Sequence, residues 1–121
     1  MAKIAEDTPM LKHYFEVKAQ HPEALLLYRV GDFYECYSDD AITAVRVLGL
    51  VQTKKSNGDK GPVAMAGFPH HALENYLTKL VRAGFDISIC EDRERRIAQH
   101  AARIRIEMLP ALEIKAPALL G

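Results

Sequence analysis

Several features that mark particular protein classes are scarce in this sequence. Its 121 residues include two cysteines, too few for a disulfide framework. No charged N-terminal region leads into an apolar segment, so the sequence favours a cytoplasmic location over secretion. The longest apolar run, Ala24 to Tyr28, is far shorter than the roughly 20 residues that span a bilayer. Secreted and membrane-spanning proteins are therefore both disfavoured.

A surplus of positive charge is also missing. The chain carries 16 basic and 16 acidic residues, which gives a formal net charge of zero. Proteins that hold nucleic acid mainly by electrostatic attraction are usually basic, so this balance argues against that mode of binding. The length fits one globular domain with a single core and leaves no room for a motor domain beside it.

What is present is a pattern of short helices and strands. Thr8-Pro9 has the residue types of an N-cap followed by a first helical position. Residues 24–30 are apolar enough for a strand buried on both faces, and an Asn-Gly pair at residues 57–58 predicts a turn between antiparallel strands. Residues 70–83 form the most regular amphipathic stretch, which indicates a helix.

This pattern predicts an α/β fold of the α+β type, with a mixed, partly antiparallel sheet of about six strands flanked by three or four helices. A helix that begins near Ser38 is expected to turn Ile42, Val45 and Leu48 inward. Residues 93–102 are helix-like, and a last strand is expected from Ile104 onward. The predicted boundaries are a flexible N-terminus at residues 1–7, a domain at 8–109 and a tail at 110–121.

Patterns that would indicate catalysis are weak. No glycine-rich loop is followed by Lys-Ser or Lys-Thr, the pattern that cradles nucleotide phosphates. The five histidines lack metal-ligand spacing, and Cys36 and Cys90 lie in strand-like segments that favour buried thiols over nucleophiles. Glu91 and Asp92 have the chemistry to hold Mg²⁺, but no lysine completes a nuclease pattern and such acids commonly cap helices. The sequence therefore predicts no enzyme, no cofactor and no metal site.

The most distinctive local feature is the segment Gly31-Asp32-Phe33-Tyr34-Glu35. Residues two apart in a strand project from one face, so Phe33 and Glu35 share a face while Tyr34 projects from the other. A phenylalanine beside a carboxylate is unusual in a core, because an unpaired buried charge is costly. The spacing alone favours Phe33 packed inward, with Glu35 turned to solvent or to Arg29, over an exposed ring used for binding.

Two groups of positive charge are also noticeable. Lys54 and Lys55 precede the predicted turn, where projecting loops are well placed to reach DNA phosphates, although a lysine pair alone is weak evidence. The arginine-rich stretch at residues 93–96 contains Glu94 and is typical of a solvated helix face.

Beyond these patterns, short motifs follow one another in a specific order and spacing from residue 8 to residue 91. They are Thr8-Pro9-Met10, Ala19-Gln20-His21-Pro22, residues 28–35, Asp39-Asp40-Ala41, Thr53-Lys54-Lys55, residues 65–72, residues 74–77 and 79–81, and Ile89-Cys90-Glu91. This set closely resembles the N-terminal mismatch-recognition domain of the MutS family of bacterial DNA mismatch-repair proteins.

The resemblance implies roles for individual residues. Phe33 would enter the minor groove and stack on a mispaired base where the duplex kinks, and Glu35 would hydrogen-bond that base. Insertion of an apolar ring is least costly where base pairing is already poor. Lys54 and Lys55 fall where the family has a basic pair near the DNA backbone, and Met65 falls in the segment that lines the groove. The implied partners are double-stranded DNA with mispairs or distortions, and mismatch-repair proteins.

The resemblance also has departures. The family commonly has proline where this chain has Ala64, and glutamine where it has Asp92. The family's connector, clamp and ATPase domains have no counterpart in these 121 residues, and the initial methionine and divergent tail favour a free-standing short protein. Two functions stay open: a mispair-binding module without ATPase activity, or a fold that binds a protein partner in a repair or mobile-element complex. Retention of Phe33 and Glu35 favours the first, and the zero net charge favours the second.

Overall fold

The computed structural model describes residues 8–91 and the backbone of residues 102–104. Within these ranges, each of three α-helices is followed by two strands. They are α1 (Pro9–Gln20), β1 (Leu25–Val30), β2 (Phe33–Tyr37), α2 (Asp39–Leu48), β3 (Thr53–Lys55), β4 (Val63–Pro69), α3 (Leu73–Arg82), β5 (Ile87–Cys90) and β6 (Ala102–Ile104). A single 3₁₀ turn, His70–Ala72, leads into α3. None of these helices is long and apolar enough to cross a membrane.

The strands form one mixed sheet in the order β3-β4-β2-β1-β5-β6. Strands β1 and β5 are parallel, and every other neighbouring pair is antiparallel. The predicted fold class, a mixed and partly antiparallel sheet of about six strands with flanking helices, is confirmed.

Helices cover the two faces of the sheet unequally. Helix α1 packs on one face, which we call the α1 face, and its core consists of Leu11, Tyr14, Val17, Leu26, Tyr28, Tyr37 and Cys90. The opposite face, which we call the α2–α3 face, carries two further clusters of buried residues. These are Leu25, Leu27, Tyr34, Phe68, Leu77, Leu80, Val81 and Ile87 under α3, and Cys36, Ala41, Ala44 and Ala66 under α2.

The starts of α1 and α2 differ in how they are capped. Thr8 caps α1 as predicted, because its hydroxyl accepts a hydrogen bond from the Leu11 N–H at 3.2 Å. Ser38 precedes α2 but makes no side-chain cap, and its φ of 61° lies in the left-handed region. Only its backbone carbonyl takes part, accepting from the Ile42 N–H at 3.2 Å.

The prediction that Ile42 faces the core is wrong. Its side chain is 48% exposed, and Val45 and Leu48 are only partly buried. The fully buried positions of α2 are Ala41 and Ala44, which pack against small residues of β2 and β4. Two alanines let the helix lie close to the sheet. The buried face of α2 is therefore centred on Ala41 and Ala44, one residue before the predicted positions Ile42 and Val45.

The buried-thiol prediction is confirmed. Cys36 and Cys90 are both free and almost fully buried. Burial raises the pKa of Cys36 to about 12 and that of Cys90 to about 11. Neither sulfur is therefore a thiolate near neutral pH, and reactivity is low at both.

The last strand begins earlier than predicted. Strand β6 starts at Ala102, two residues before the expected Ile104, and pairs antiparallel with β5. Ala102 therefore lies in a strand rather than in the helix-like stretch 93–102. The rest of that stretch, the predicted strand residues after 104, the N-terminus at 1–7 and the tail at 110–121 lie outside the described residues.

Candidate nucleic-acid interface

Helix α1 leaves part of its own sheet face uncovered. Strand pairing sets Glu35 of β2 opposite Gly67 of β4, and Met65 of β4 opposite Thr53 of β3. These residues border an open groove of about 570 Å³ on the α1 face. Its lining consists of Phe33, Glu35, Gly49, Leu50, Val51, Thr53, Met65 and Gly67. We refer to this surface as the open groove.

Phe33 is the first residue of β2 and its side chain is 45% exposed. Its neighbours Tyr34 and Cys36 are buried on the opposite face of the sheet. The alternation read from the sequence is therefore confirmed. The inward-packed interpretation of Phe33, which the spacing alone favoured, is wrong, because a buried ring would not keep nearly half of its surface accessible.

The turn that presents Phe33 is held at both of its central residues. Gly31 adopts a φ of 59°, a conformation that favours glycine. Its carbonyl accepts a hydrogen bond from the Arg29 Nε at 2.5 Å. The Asp32 carbonyl accepts the backbone N–H of His70 at 2.7 Å, with the His70 Nδ1 at 3.0 Å. The turn therefore presents the Phe33 ring from an anchored backbone, and His70 has a structural role here.

Glu35 lies two residues further along β2 and is partly buried. One of its carboxylate oxygens, Oε1, accepts a hydrogen bond from the Tyr37 hydroxyl. A Cβ at Gly67 would lie 2.8 Å from the Tyr34 carbonyl oxygen and 3.0 Å from the Glu35 Cγ, so only glycine leaves room for the Glu35 side chain. Glu35 is thus held by the protein, and of the two alternatives considered from the sequence, solvent or Arg29, the contact with Arg29 is not made.

Arg29 belongs instead to a polar cluster on the α2–α3 face. Its Nη1 lies 3.4 Å from the Glu91 Oε1, and its guanidinium lies 5.6 Å from the centre of the Tyr34 ring. The Tyr34 hydroxyl donates to the Glu91 Oε2 at 2.6 Å. Burial and the hydrogen bond to Glu91 raise the pKa of Tyr34 to about 12. Glu91, one of the two acids considered for Mg²⁺, therefore fixes the residue next to Phe33.

The remaining residues predicted for the site lie toward the far end of the groove. Met65 is partly buried, packs against the α1 core and borders the open groove. Lys55 pairs with Val63, and alternation places it on the α1 face with Phe33. Lys54 pairs with Ala64 and projects from the α2–α3 face. The structure therefore brings Phe33, Glu35 and Met65 together and separates the two lysines.

The sequence did not identify Gly67 and Thr53 of the groove lining as site residues, nor Tyr37, which is buried beside the groove and bonded to Glu35. Alternation along β2 already places Tyr37 on the face of Glu35, so that signal was available. The positions of Gly67 and Thr53 depend on strand register between distant segments, which the sequence pattern does not specify. Among residues 8–91, no group of three or more histidine, cysteine or acidic residues could hold a metal ion.

The sequence also matches a known protein family and several of its members. A family model described as MutS domain I matches residues 8–109. The chain is 58% identical over 94 residues to the DNA mismatch repair protein MutS of Parabacteroides distasonis. The aligned region covers 78% of this chain and 11% of that protein. It is 53% identical over 94 residues to the same-named protein of Porphyromonas gingivalis, covering 78% and 10% respectively. With the MutS of Chlorobaculum parvum it shares 53% identity over 99 residues, covering 78% and 11%.

The chain therefore belongs to the MutS domain I family. It spans about a tenth of the length of these MutS relatives.

Proposed function

From its membership of the MutS domain I family, we propose that the chain is a DNA-binding module that recognises mispaired or distorted duplexes. Phe33 inserts into the minor groove and stacks on a mispaired base, while Glu35 accepts a hydrogen bond from that base. Met65 lines the protein side of the contact, and Lys54 and Lys55 lie near DNA phosphates. The proposal assigns no reaction to the chain: recognition is by binding, without ATPase activity.

One observation carries the proposal. Phe33 is exposed at the end of a strand, on an anchored turn, beside a carboxylate on the same face. Exposing a large aromatic ring in this way gives up the hydrophobic stabilisation of the core, so the ring is suited to a partner. Duplex DNA offers an apolar surface between base pairs only where they unstack, and mispairs lower the cost of unstacking.

The charge of Glu35 supports selectivity rather than affinity. A carboxylate that enters the minor groove approaches the phosphates, and this is unfavourable unless a base donates a hydrogen bond to it. The imino N–H of a paired base is engaged in the pair, whereas a mispaired base that is displaced offers this donor to the carboxylate. Glu35 therefore penalises paired DNA more than mispaired DNA, as a discriminating residue should.

The experiment is a titration by fluorescence anisotropy at low salt, with a fully paired duplex and matched duplexes that carry a G·T pair or an unpaired T. We expect dissociation constants in the micromolar range and tighter binding of the two defective duplexes. Phe33→Ala should remove most of this preference, because base–aromatic stacking is worth about 1–3 kcal/mol, or roughly 5- to 150-fold in affinity. Binding to paired DNA should persist in that variant.

The matched control is Ile42→Ala. Ile42 is as exposed as Phe33 but lies on α2, away from the groove residues, so its truncation should leave the preference unchanged. Glu35→Ala should reduce discrimination while affinity for paired DNA rises. Equal binding of all three duplexes by the parent protein would contradict the proposal.

One observation favours the alternative function, a protein-binding module. The open groove is partly apolar, with Leu50, Val51 and Met65 in its lining, and Val51 is 78% exposed. Exposed apolar surface of this kind is common at protein interfaces. The same titration separates the two functions, because a protein-binding module has no reason to distinguish a G·T duplex from a paired one.

A further inference from the structure

The Tyr37 ring is fixed within the α1 core. It is 1% exposed, and it meets the Tyr14 ring edge to face, with centroids 4.8 Å apart and planes at 90°. The backbone N–H of Tyr37 also donates to the Tyr14 hydroxyl at 3.2 Å. Two contacts with the same helix residue therefore fix both the backbone and the ring, and the position of the Tyr37 hydroxyl is set by the core.

That hydroxyl lies at the border between the core and the open groove. Tyr37 and Glu35 are two residues apart on β2 and share the α1 face, and the hydroxyl donates to the Glu35 Oε1. Burial and the neighbouring Glu35 carboxylate raise the pKa of Tyr37 well above its usual value. The phenol therefore stays protonated, and it remains a hydrogen-bond donor throughout the neutral range.

Gly67 leaves room for this position of the Glu35 side chain. Gly67 lies directly opposite on β4, and a Cβ there would lie 3.0 Å from the Glu35 Cγ. The side chain therefore passes over a glycine and ends on a buried hydroxyl. A glutamate on a free strand end samples many rotamers, and ordering it on binding costs affinity.

We infer that Tyr37 is a positioning residue that sets mispair specificity by holding one oxygen of the Glu35 carboxylate before DNA binds and leaving the other oxygen for the base. This inference rests on the proposed function, because it concerns the same contact. Tyr37 itself does not touch DNA. It places the Glu35 acceptor where a mispaired base presents a donor. Because the Glu35 side chain is already ordered in the free protein, DNA binding does not have to order it.

The test is Tyr37→Phe, which keeps the ring packing and removes only the hydroxyl. We expect the preference for the G·T and unpaired-T duplexes to fall about tenfold, which corresponds to about 1.4 kcal/mol, with affinity for paired DNA unchanged. In a double-mutant cycle, Tyr37→Phe should have no further effect once Glu35→Ala is present. Additive losses would overturn the inference, since they would show that Tyr37 does not act through Glu35.

Tyr34→Phe is the matched control. It removes a hydroxyl from the adjacent residue of β2, and that hydroxyl is also bonded to a carboxylate, but on the α2–α3 face. A general effect of losing a tyrosine–carboxylate hydrogen bond would appear in both variants. Positioning of Glu35 predicts that only Tyr37→Phe lowers the mispair preference, and an equal loss in Tyr34→Phe would contradict it.

A measurement without DNA separates this inference from the proposed function. Side-chain scalar couplings of Glu35 by NMR should show one dominant rotamer in the parent protein and averaging in Tyr37→Phe. Averaged couplings already present in the parent would overturn the inference even if Phe33→Ala abolishes mispair preference. A single rotamer in a parent protein without mispair preference would instead overturn the specificity role together with the proposed function.

Discussion

The two ends of strand β2 have different surroundings, although they belong to the same face of the same sheet. Tyr37, at its C-terminal end, is buried under α1, whereas Phe33, four residues earlier, is 45% exposed. Both are large aromatic residues with strong strand propensity, so composition does not explain the difference. The difference is made by α1, whose buried residues pack around Tyr37 and do not include Phe33 among their partners. One strand is therefore part of the core at one end and exposed at the other, where the proposed function places the contact with DNA.

The border between the two regions carries Glu35, the residue to which the proposed function assigns discrimination. Glu35 lies between Phe33 and Tyr37, and the buried end of the strand fixes it through the Tyr37 hydroxyl. Met65, on β4, is similarly placed, packed on the α1 core and bordering the open groove. A rigid core next to an uncovered sheet face lets the site residues take their positions without a partner.

The largest effect on the free energy of unfolding is expected from a truncation in the α1 core. Tyr14→Ala removes a fully buried ring that contacts Tyr28 and Tyr37, and it should lower the free energy of unfolding by about 3–5 kcal/mol. Phe33→Ala, on the exposed end of the same sheet face, should lower it by less than about 1 kcal/mol. Urea unfolding followed by circular dichroism measures both. Comparable losses in the two variants would show that the two regions are not distinct in packing.

The second prediction concerns Tyr34, which follows Phe33 on β2 but is buried on the α2–α3 face, and the dependence of stability on pH. The pKa of Tyr34 is about 12 in the folded protein, raised by burial and then by Glu91, against about 10 in the unfolded chain. The resulting stabilisation is complete below pH 10 and is lost as the pH rises toward 12, because in this range the unfolded chain has released the Tyr34 proton while the folded state still holds it. The two-unit difference corresponds to about 2–3 kcal/mol.

Unfolding of the parent protein and of Tyr34→Phe between pH 8 and pH 12 tests this expectation. The variant starts from a lower stability, because it lacks the hydrogen bond to Glu91, and should then show a smaller decline across this range. Other buried tyrosines contribute to the decline in both proteins, so the comparison is between the two slopes. If the free energy of unfolding declined with pH at the same slope in both proteins, Tyr34 would not contribute to the pH dependence.

The third prediction adds a side chain at the open groove, whereas Tyr14→Ala removes one from the α1 core. Gly67→Ala places a Cβ 2.8 Å from the Tyr34 carbonyl oxygen and 3.0 Å from the Glu35 Cγ. The backbone contact requires a shift of β2 or β4, and we expect a loss of about 1–3 kcal/mol in stability. Displacement of Glu35 should also reduce mispair preference.

Ala66 of the same strand and Gly49 of the groove provide controls for this variant. Gly49→Ala adds a methyl group at a left-handed position where a Cβ meets nothing within 4 Å, so any loss there reports backbone strain alone. Ala66→Gly removes a buried methyl group on the opposite face and should leave mispair preference intact. A Gly67→Ala variant with full mispair preference would show that Glu35 has room to move.

These comparisons also show how much the sequence could predict. The fold class, the Thr8 cap and the alternation of β2 follow from local patterns, and local patterns are readable because each residue's neighbours along the chain determine them. The exposure of Phe33 was not readable in this way. It depends on where α1 ends its coverage of the sheet, a tertiary relation between segments far apart in the chain.

The same limit applies to the partners of the two carboxylates. The sequence left solvent or Arg29 as the surroundings of Glu35, but Arg29 pairs with Glu91, 62 residues away. Glu35 bonds to Tyr37, which alternation had already placed on its face. Pairing across parallel strands β1 and β5 brings Glu91 to Arg29 and Tyr34, and no local pattern specifies that register. The correction of Ile42 is similar, since two alanines determined the orientation of α2.

The smallest expected effect concerns the lysines at the edge of the sheet. Lys55 and Phe33 share the α1 face, at opposite ends of the groove, and the six-residue offset of their partners on β4 separates them by about 20 Å along the strands. That distance corresponds to roughly six base-pair steps of a duplex lying along the groove. Lys54 projects from the other face and is expected to reach only the phosphates of a strand that passes around the sheet edge.

The measurement is the dependence of the binding constant on salt between about 50 and 200 mM. Each phosphate contact contributes about −0.9 to the slope of log K against log salt, and two to four contacts predict a slope of roughly −2 to −4 for the parent protein. Lys55→Ala should reduce the magnitude of that slope by about 0.9, and Lys54→Ala should reduce it by less. Phe33→Ala provides the control, because an uncharged ring releases no counterions and its loss should leave the slope unchanged. If Lys54→Ala alone changed the slope, the duplex would lie against the α2–α3 face, and the assignment of the open groove as the DNA-binding surface would fail.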